Sequence, residues 1–141
     1  MKKRVILALL ILSSAIFLWA RENVTAAEVL SVKVEADSIV ATFEIPEGMH
    51  LTIQEDYFYL DVDEVEGVSF EETIYPKGEL DELGFENVHG TVHLIKKFTV
   101  ADNVDKEKIN FQIYAGFQLC YDSYCEAPVD SEFVLPLICE E

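Results

Sequence analysis

The sequence predicts an all-β domain, an immunoglobulin-like β-sandwich preceded by an N-terminal signal peptide or anchor. Past residue 27, apolar residues recur with a period of two rather than 3.6. Turn residues interrupt these runs every 8–12 positions, which marks seven to nine short strands. No segment carries an amphipathic helix of more than two turns. A small barrel is the alternative architecture.

The elements follow in order. Leu30, Val32 and Val34 alternate with Val29, Ser31, Lys33 and Glu35, as in a half-buried strand. Ala36-Asp37-Ser38 is a turn. Ile39–Ile45 alternates again, with Ala41, Phe43 and Ile45 on one face, until Pro46-Glu47-Gly48 ends it. His50–Ile53, Tyr57–Val62 and Val65–Phe70 are further short strands. A loop is expected from Tyr75-Pro76-Lys77-Gly78 through the acidic Glu79–Glu82 to Leu83-Gly84-Phe85. Asn87–Val100 holds one or two strands around Gly90, and Asp102–Lys108 is polar and turn-like. Lys108–Phe117 is a strong strand, with Ile109, Phe111, Ile113 and Ala115 on one side. Glu132–Ile138 is the last.

The chain has 141 residues, enough for one domain with a real core. Residues 1–27 are expected to be a signal peptide or N-terminal anchor, and residues 28–141 the sandwich. Met1–Arg4 is a basic n-region, and Val5–Ala20 is an apolar run broken only by Ser13 and Ser14. That run is short for a bilayer span and fits a secretory h-region. Small residues at Val24-Thr25-Ala26 or Thr25-Ala26-Ala27 suit cleavage better than Leu18-Trp19-Ala20. The body is therefore expected outside the cytosol, in the periplasm or secreted, touching membrane only through an uncleaved N-terminus. The net charge is −17. From residue 21 onward, seven cations face 27 acids, a net −20. Such a surface repels phosphate backbones and anionic lipid, so nucleic-acid binding is excluded.

Cys120, Cys125 and Cys139 are the three cysteines. In an oxidising compartment the close pair forms a disulfide, and one thiol is left over. A C-x4-C bridge closes a ring of about six residues, which adds only roughly 2 kcal/mol by loop entropy. It is either a structural hairpin clip or a redox device. Zinc fits less well, because a second ligand pair is missing from the sequence.

Phe117-Gln118-Leu119-Cys120, Cys125-Glu126-Ala127-Pro128 and the closing Val134-Leu135-Pro136-Leu137 resemble the amino-terminal periplasmic domain of the thiol:disulfide interchange protein DsbD. Ile45-Pro46-Glu47-Gly48-Met49-His50-Leu51 is similar to that family's strand ending in Gly and aromatics. Gly84-Phe85-Glu86-Asn87-Val88-His89-Gly90 sits where the family has its cap loop. The resemblance covers about residues 28–138 and is specific at the cysteine loop. Departures are Phe117 for Tyr, Ala127-Pro128 for Pro-Pro, and Met49 for an aromatic.

The resemblance implies an immunoglobulin-like relay, a protein-disulfide reductase or thiol–disulfide interchange component without cofactor. Its partners would be a thioredoxin-like or membrane electron-donor protein and periplasmic disulfide-containing proteins. Cys125 would be the attacking thiol and Cys120 the resolving one. Glu79–Phe85 would be the cap loop, with Leu83 or Phe85 covering the disulfide. Gln118, Tyr121, Asp122 and Tyr124 surround the pair. Flanking carboxylates and apolar cover raise thiol pKa values, which makes the free pair a sluggish nucleophile. The contrasting reading is a non-catalytic binding module with a structural hairpin disulfide.

Other residues carry less. His89 and His93 would share a strand face about 13 Å apart, too far to chelate one metal. His50, His89 and His93 are read as surface or structural, and no metal site is expected. Asp61, Asp63, Glu64 and Glu66 lack the glycine and closing Glu of a calcium loop. Asn23-Val24-Thr25 is a glycosylation sequon.

Overall fold

The computed structural model describes residues 26–138. Residues 1–25 of the expected signal peptide or anchor at 1–27, and Cys139, lie outside these residues. Ala26–Val29 forms a single helical turn, α1, which leads into ten strands: β1 (Leu30–Val34), β2 (Ser38–Glu44), β3 (Leu51–Thr52), β4 (Tyr59–Val62), β5 (Val68–Phe70), β6 (Glu79–Leu80), β7 (Glu86–Val88), β8 (Thr91–Val100), β9 (Asn110–Phe117) and β10 (Val129–Pro136). A 3-10 turn at Lys106–Lys108 occupies the expected polar turn, with the Asp105 carboxylate accepting from the Glu107 N–H.

Two antiparallel sheets form the body, in the orders β1-β2-β8-β5 and β10-β9-β4. Their inner faces are the alternating apolar rows read from the sequence. Ala41, Phe43 and Ile45 are buried on one side, and Ile109, Phe111, Ile113 and Ala115 on the other. Phe43 meets Phe58 and Phe117 edge-on at ring-centroid distances of 4.9 and 6.0 Å. Phe98 and Phe70 meet Phe111 at 5.0 and 5.8 Å. These contacts cross from sheet to sheet, as aligned sandwich packing requires. The architecture is all-β and immunoglobulin-like.

Several boundaries differ from expectation. The first strand starts at Leu30, because Val29 closes the helical turn. The strands expected from Tyr57 and Val65 start at Tyr59 and Val68. Gly90, at φ 71°, divides Asn87–Val100 into two strands that belong to different sheets. The expected loop at Glu79–Phe85 is instead a hairpin, in which Glu79 pairs with Asn87 and Leu80 with Glu86. The last strand begins earlier, at Val129.

A third sheet, in the order β3-β7-β6, stands at one end of the sandwich. Its position follows from the chain path. Glu44 pairs with Thr91 at the end of β2 and the start of β8, and the Ile45 N–H donates to the Gly90 carbonyl at 2.9 Å. The chains that leave the first sheet there become β3 and β7, with Leu51 opposite Val88. At the same end, β9 runs out through Phe117 into the cysteine segment.

Candidate active site at the disulfide hairpin

Cys120 and Cys125 are joined in a disulfide, with Cα atoms 3.9 Å apart. They occupy the arms of a miniature hairpin whose tip is Asp122-Ser123. The Tyr121 N–H donates to the Tyr124 carbonyl at 2.7 Å, and the Glu126 N–H to the Leu119 carbonyl at 2.8 Å. The cysteines fall between these bonds, at the non-hydrogen-bonded position where antiparallel strands approach most closely. Tyr121 and Tyr124 stack across the tip with centroids 4.7 Å apart. Gln118 braces the base, its Nε2 donating to the Glu126 carbonyl at 3.0 Å. The Gln118 carbonyl oxygen also lies 3.9 Å from Cys120 Sγ.

The other edge of Cys120 is fixed to the third sheet. Its N–H donates to the His50 carbonyl and its carbonyl accepts from the His50 N–H, both at 2.9 Å. Cys120 and His50 are therefore directly opposed, and their side chains share a face. Because Leu51 opposes Val88, the next pair in register is His50 and His89. Their rings lie 5.8 Å apart. One row of side chains thus crosses four successive chain segments: Cys125, Cys120, His50, His89. The alternate face carries Leu51, Val88 and Leu119 into the core.

The row opens on a cleft of about 460 Å³. Tyr121, Asp122, Ser123 and Tyr124 line it from the hairpin, and Thr52, Asn87 and Asp81 from the third sheet. The two cysteines are unequal. Cys120 is 4% exposed, whereas Cys125 is in the open.

The turn between β6 and β7 brings Asp81 to the cleft. Gly84, at φ 86°, takes the left-handed position of a three-residue hairpin loop, and the Asp81 N–H donates to the Phe85 carbonyl at 2.8 Å. The Asp81 carboxylate accepts from the Phe85 and Leu83 N–H groups at 2.9 Å and from the Asn87 amide at 3.1 Å. The Phe85 N–H, with lesser help from Asn87, Leu83 and Gly84, holds this carboxyl below the ordinary value of 3.8.

The structure thus brings Cys120, Cys125, Tyr121, Asp122 and Tyr124 to one cleft and uses Gln118 as a brace. Leu83 and Phe85 stand 83% and 45% exposed, and neither lines the cleft. His50, His89 and Asp81 are the titratable lining residues that sequence reasoning left out of the site, together with Thr52, Asn87 and Ser123. A pairing of Cys120 with the strand after Gly48 would have found His50, but periodicity does not specify partners. Among the described residues, no three His, Cys, Asp or Glu groups come together to hold a metal ion.

Fold and site together define an immunoglobulin-like domain with a small-ring disulfide at one end of the sandwich. Among solved structures, the fold is that of the DsbD N-terminal domain. The reduced form of that domain from Neisseria meningitidis matches with a TM-score of 0.57 at 19% identity, over 77% of this chain and 83% of that one. The same organism's domain in complex with the PilB N-terminal domain matches with a TM-score of 0.56 at 20% identity, over 82% and 88%. No family model matches the sequence, nor does any curated protein.

Proposed function

We propose that this chain is an extracytoplasmic thiol–disulfide relay domain working through Cys120 and Cys125. The observation that carries the reading is the inequality of the two cysteines at the cleft, with Cys120 buried and Cys125 exposed. A disulfide that serves only as a clip needs no accessible sulfur, whereas one that exchanges with a protein must present one. A donor thiolate attacks Cys125 Sγ, and the electron pair of the broken S–S bond leaves on Cys120 Sγ. The mixed disulfide is then resolved by the donor's second thiol, which leaves a reduced pair that can pass two electrons to a protein disulfide. The DsbD-like fold supports this reading, and the PilB complex of the neighbouring domain supports a protein partner of thioredoxin type. The basic and apolar start of the sequence supports an exported location. Among the described residues, no helix is long and apolar enough to cross a membrane.

The test is to mix the Cys120→Ala protein with an oxidised thioredoxin-like protein. A mixed disulfide through Cys125 is expected, and Cys125→Ala should trap far less. No adduct, with a reduction potential well below about −300 mV, would leave the structural clip as the reading.

A further inference from the structure

The geometry points to His50 as the proton-handling partner of Cys120. The inference rests on the relay reading, in which Cys120 is the leaving sulfur. Two backbone hydrogen bonds of 2.9 Å lock the pair in direct opposition, so neither residue can move along its strand without breaking both. Side chains so opposed lie about 5 Å apart at Cβ. His50 and Cys120 also line the same cleft.

The chemistry needs such a group. When a donor thiolate bonds to Cys125 Sγ, the electron pair of the Cys120–Cys125 bond goes to Cys120 Sγ. That sulfur is enclosed, and a thiolate in a poorly solvated place is costly. Protonated His50 stabilises the charge and then delivers its proton. The products are a Cys120 thiol, a neutral imidazole and the mixed disulfide. Histidine suits the task because its charge changes between about pH 5 and 8.

The titratable groups facing His50 are few. His89 touches it from the strand beside β3. Asp122, Tyr121 and Tyr124 face it from the cysteine hairpin, and Asp81 from the turn after β6. The carboxylates oppose a thiolate but favour a protonated imidazole. Asp81 is engaged by three N–H donors and Asp122 is solvated at the tip, so His50 is the titratable residue paired directly with Cys120.

The experiment follows reduction of the oxidised protein by dithiothreitol from pH 5.5 to 9. It compares wild type, His50→Gln and the control His93→Gln, whose ring bonds Thr42 on another sheet. Wild type should outpace His50→Gln by about three- to tenfold at acidic pH, the gain expected for a leaving thiolate one to two pKa units lower. The ratio should approach one at alkaline pH, and His93→Gln should match wild type. A ratio independent of pH, or an equal loss in His93→Gln, overturns the proposal. If His50→Gln does not fold, NMR titration of His50 in the wild-type protein decides. The imidazole midpoint must change between oxidised and reduced forms, and an identical midpoint overturns the proposal. Dithiothreitol requires no protein partner, so failure here is separate from failure to trap a mixed disulfide.

Discussion

Gly116 shows how tightly one residue can be specified. It sits in β9 between Tyr59 of β4 and Asp130 of β10. A methyl group there would run into the Tyr59 ring, which lies over the glycine while its hydroxyl donates to Asp130. Gly116→Ala should therefore lower stability by about 1–3 kcal/mol, read as a fall in the urea midpoint at constant m. Burial and then Asp130 push the Tyr59 hydroxyl up to about 12. Its folded value is raised, so this contribution is complete below the ordinary value of 10 and is lost as pH climbs from there to about 12. Tyr59→Phe should remove that part of the alkaline decline in thermal melts. Asp81 has the opposite sign. Its lowered carboxyl contributes fully above the ordinary 3.8, and the contribution vanishes as pH falls through the lower folded value. Asp81→Ala should cut the hydrogen-exchange protection of the Leu83 and Phe85 amides at neutral pH, and wild type should lose the same protection in strong acid.

At the scale of elements, the strands at His50–Ile53, Tyr57–Val62 and Val65–Phe70 were legible along with the long ones, and β6 was not. Ile39–Ile45 and Lys108–Phe117 each place three or more large apolar side chains on one face, so period alone assigns them. β6 has two exposed residues and no period to read, and it exists because β7 offers it backbone partners. The Glu79–Phe85 hairpin looked like a loop because its side chains are acidic or exposed, although Asp81 and Gly84 carry the spacing of its turn. The cysteine hairpin was legible as chemistry, since C-x4-C invites a bridge. His50 and His89 were not, because they reach the disulfide only through pairing between segments some 70 and 30 residues away in sequence. Sequence spacing even set His89 against His93, whereas the turn at Gly90 separates them and gives His89 to His50.

At the scale of the molecule, 27 acids against ten cations make the folded state repel itself. Added sodium chloride should screen that repulsion and raise the urea midpoint at neutral pH, and an unchanged midpoint would mean the acids are spaced widely enough to ignore one another. The sandwich carries its disulfide outside the main core contacts, at the end where β2, β8 and β9 leave their sheets. Backbone hydrogen bonds flank the bridge on both arms, and two more tie Cys120 to His50. None of these backbone bonds involves a sulfur, so their partners are independent of the bridge itself. A thermodynamic cycle then links folding to electron affinity. Whatever the bridge adds to stability must equal the amount by which folding lowers its reduction potential. For so small a ring that is about 2 kcal/mol, or roughly 40 mV. On the proposed relay reading, so small a linkage lets the pair gain and lose electrons at little cost to the fold.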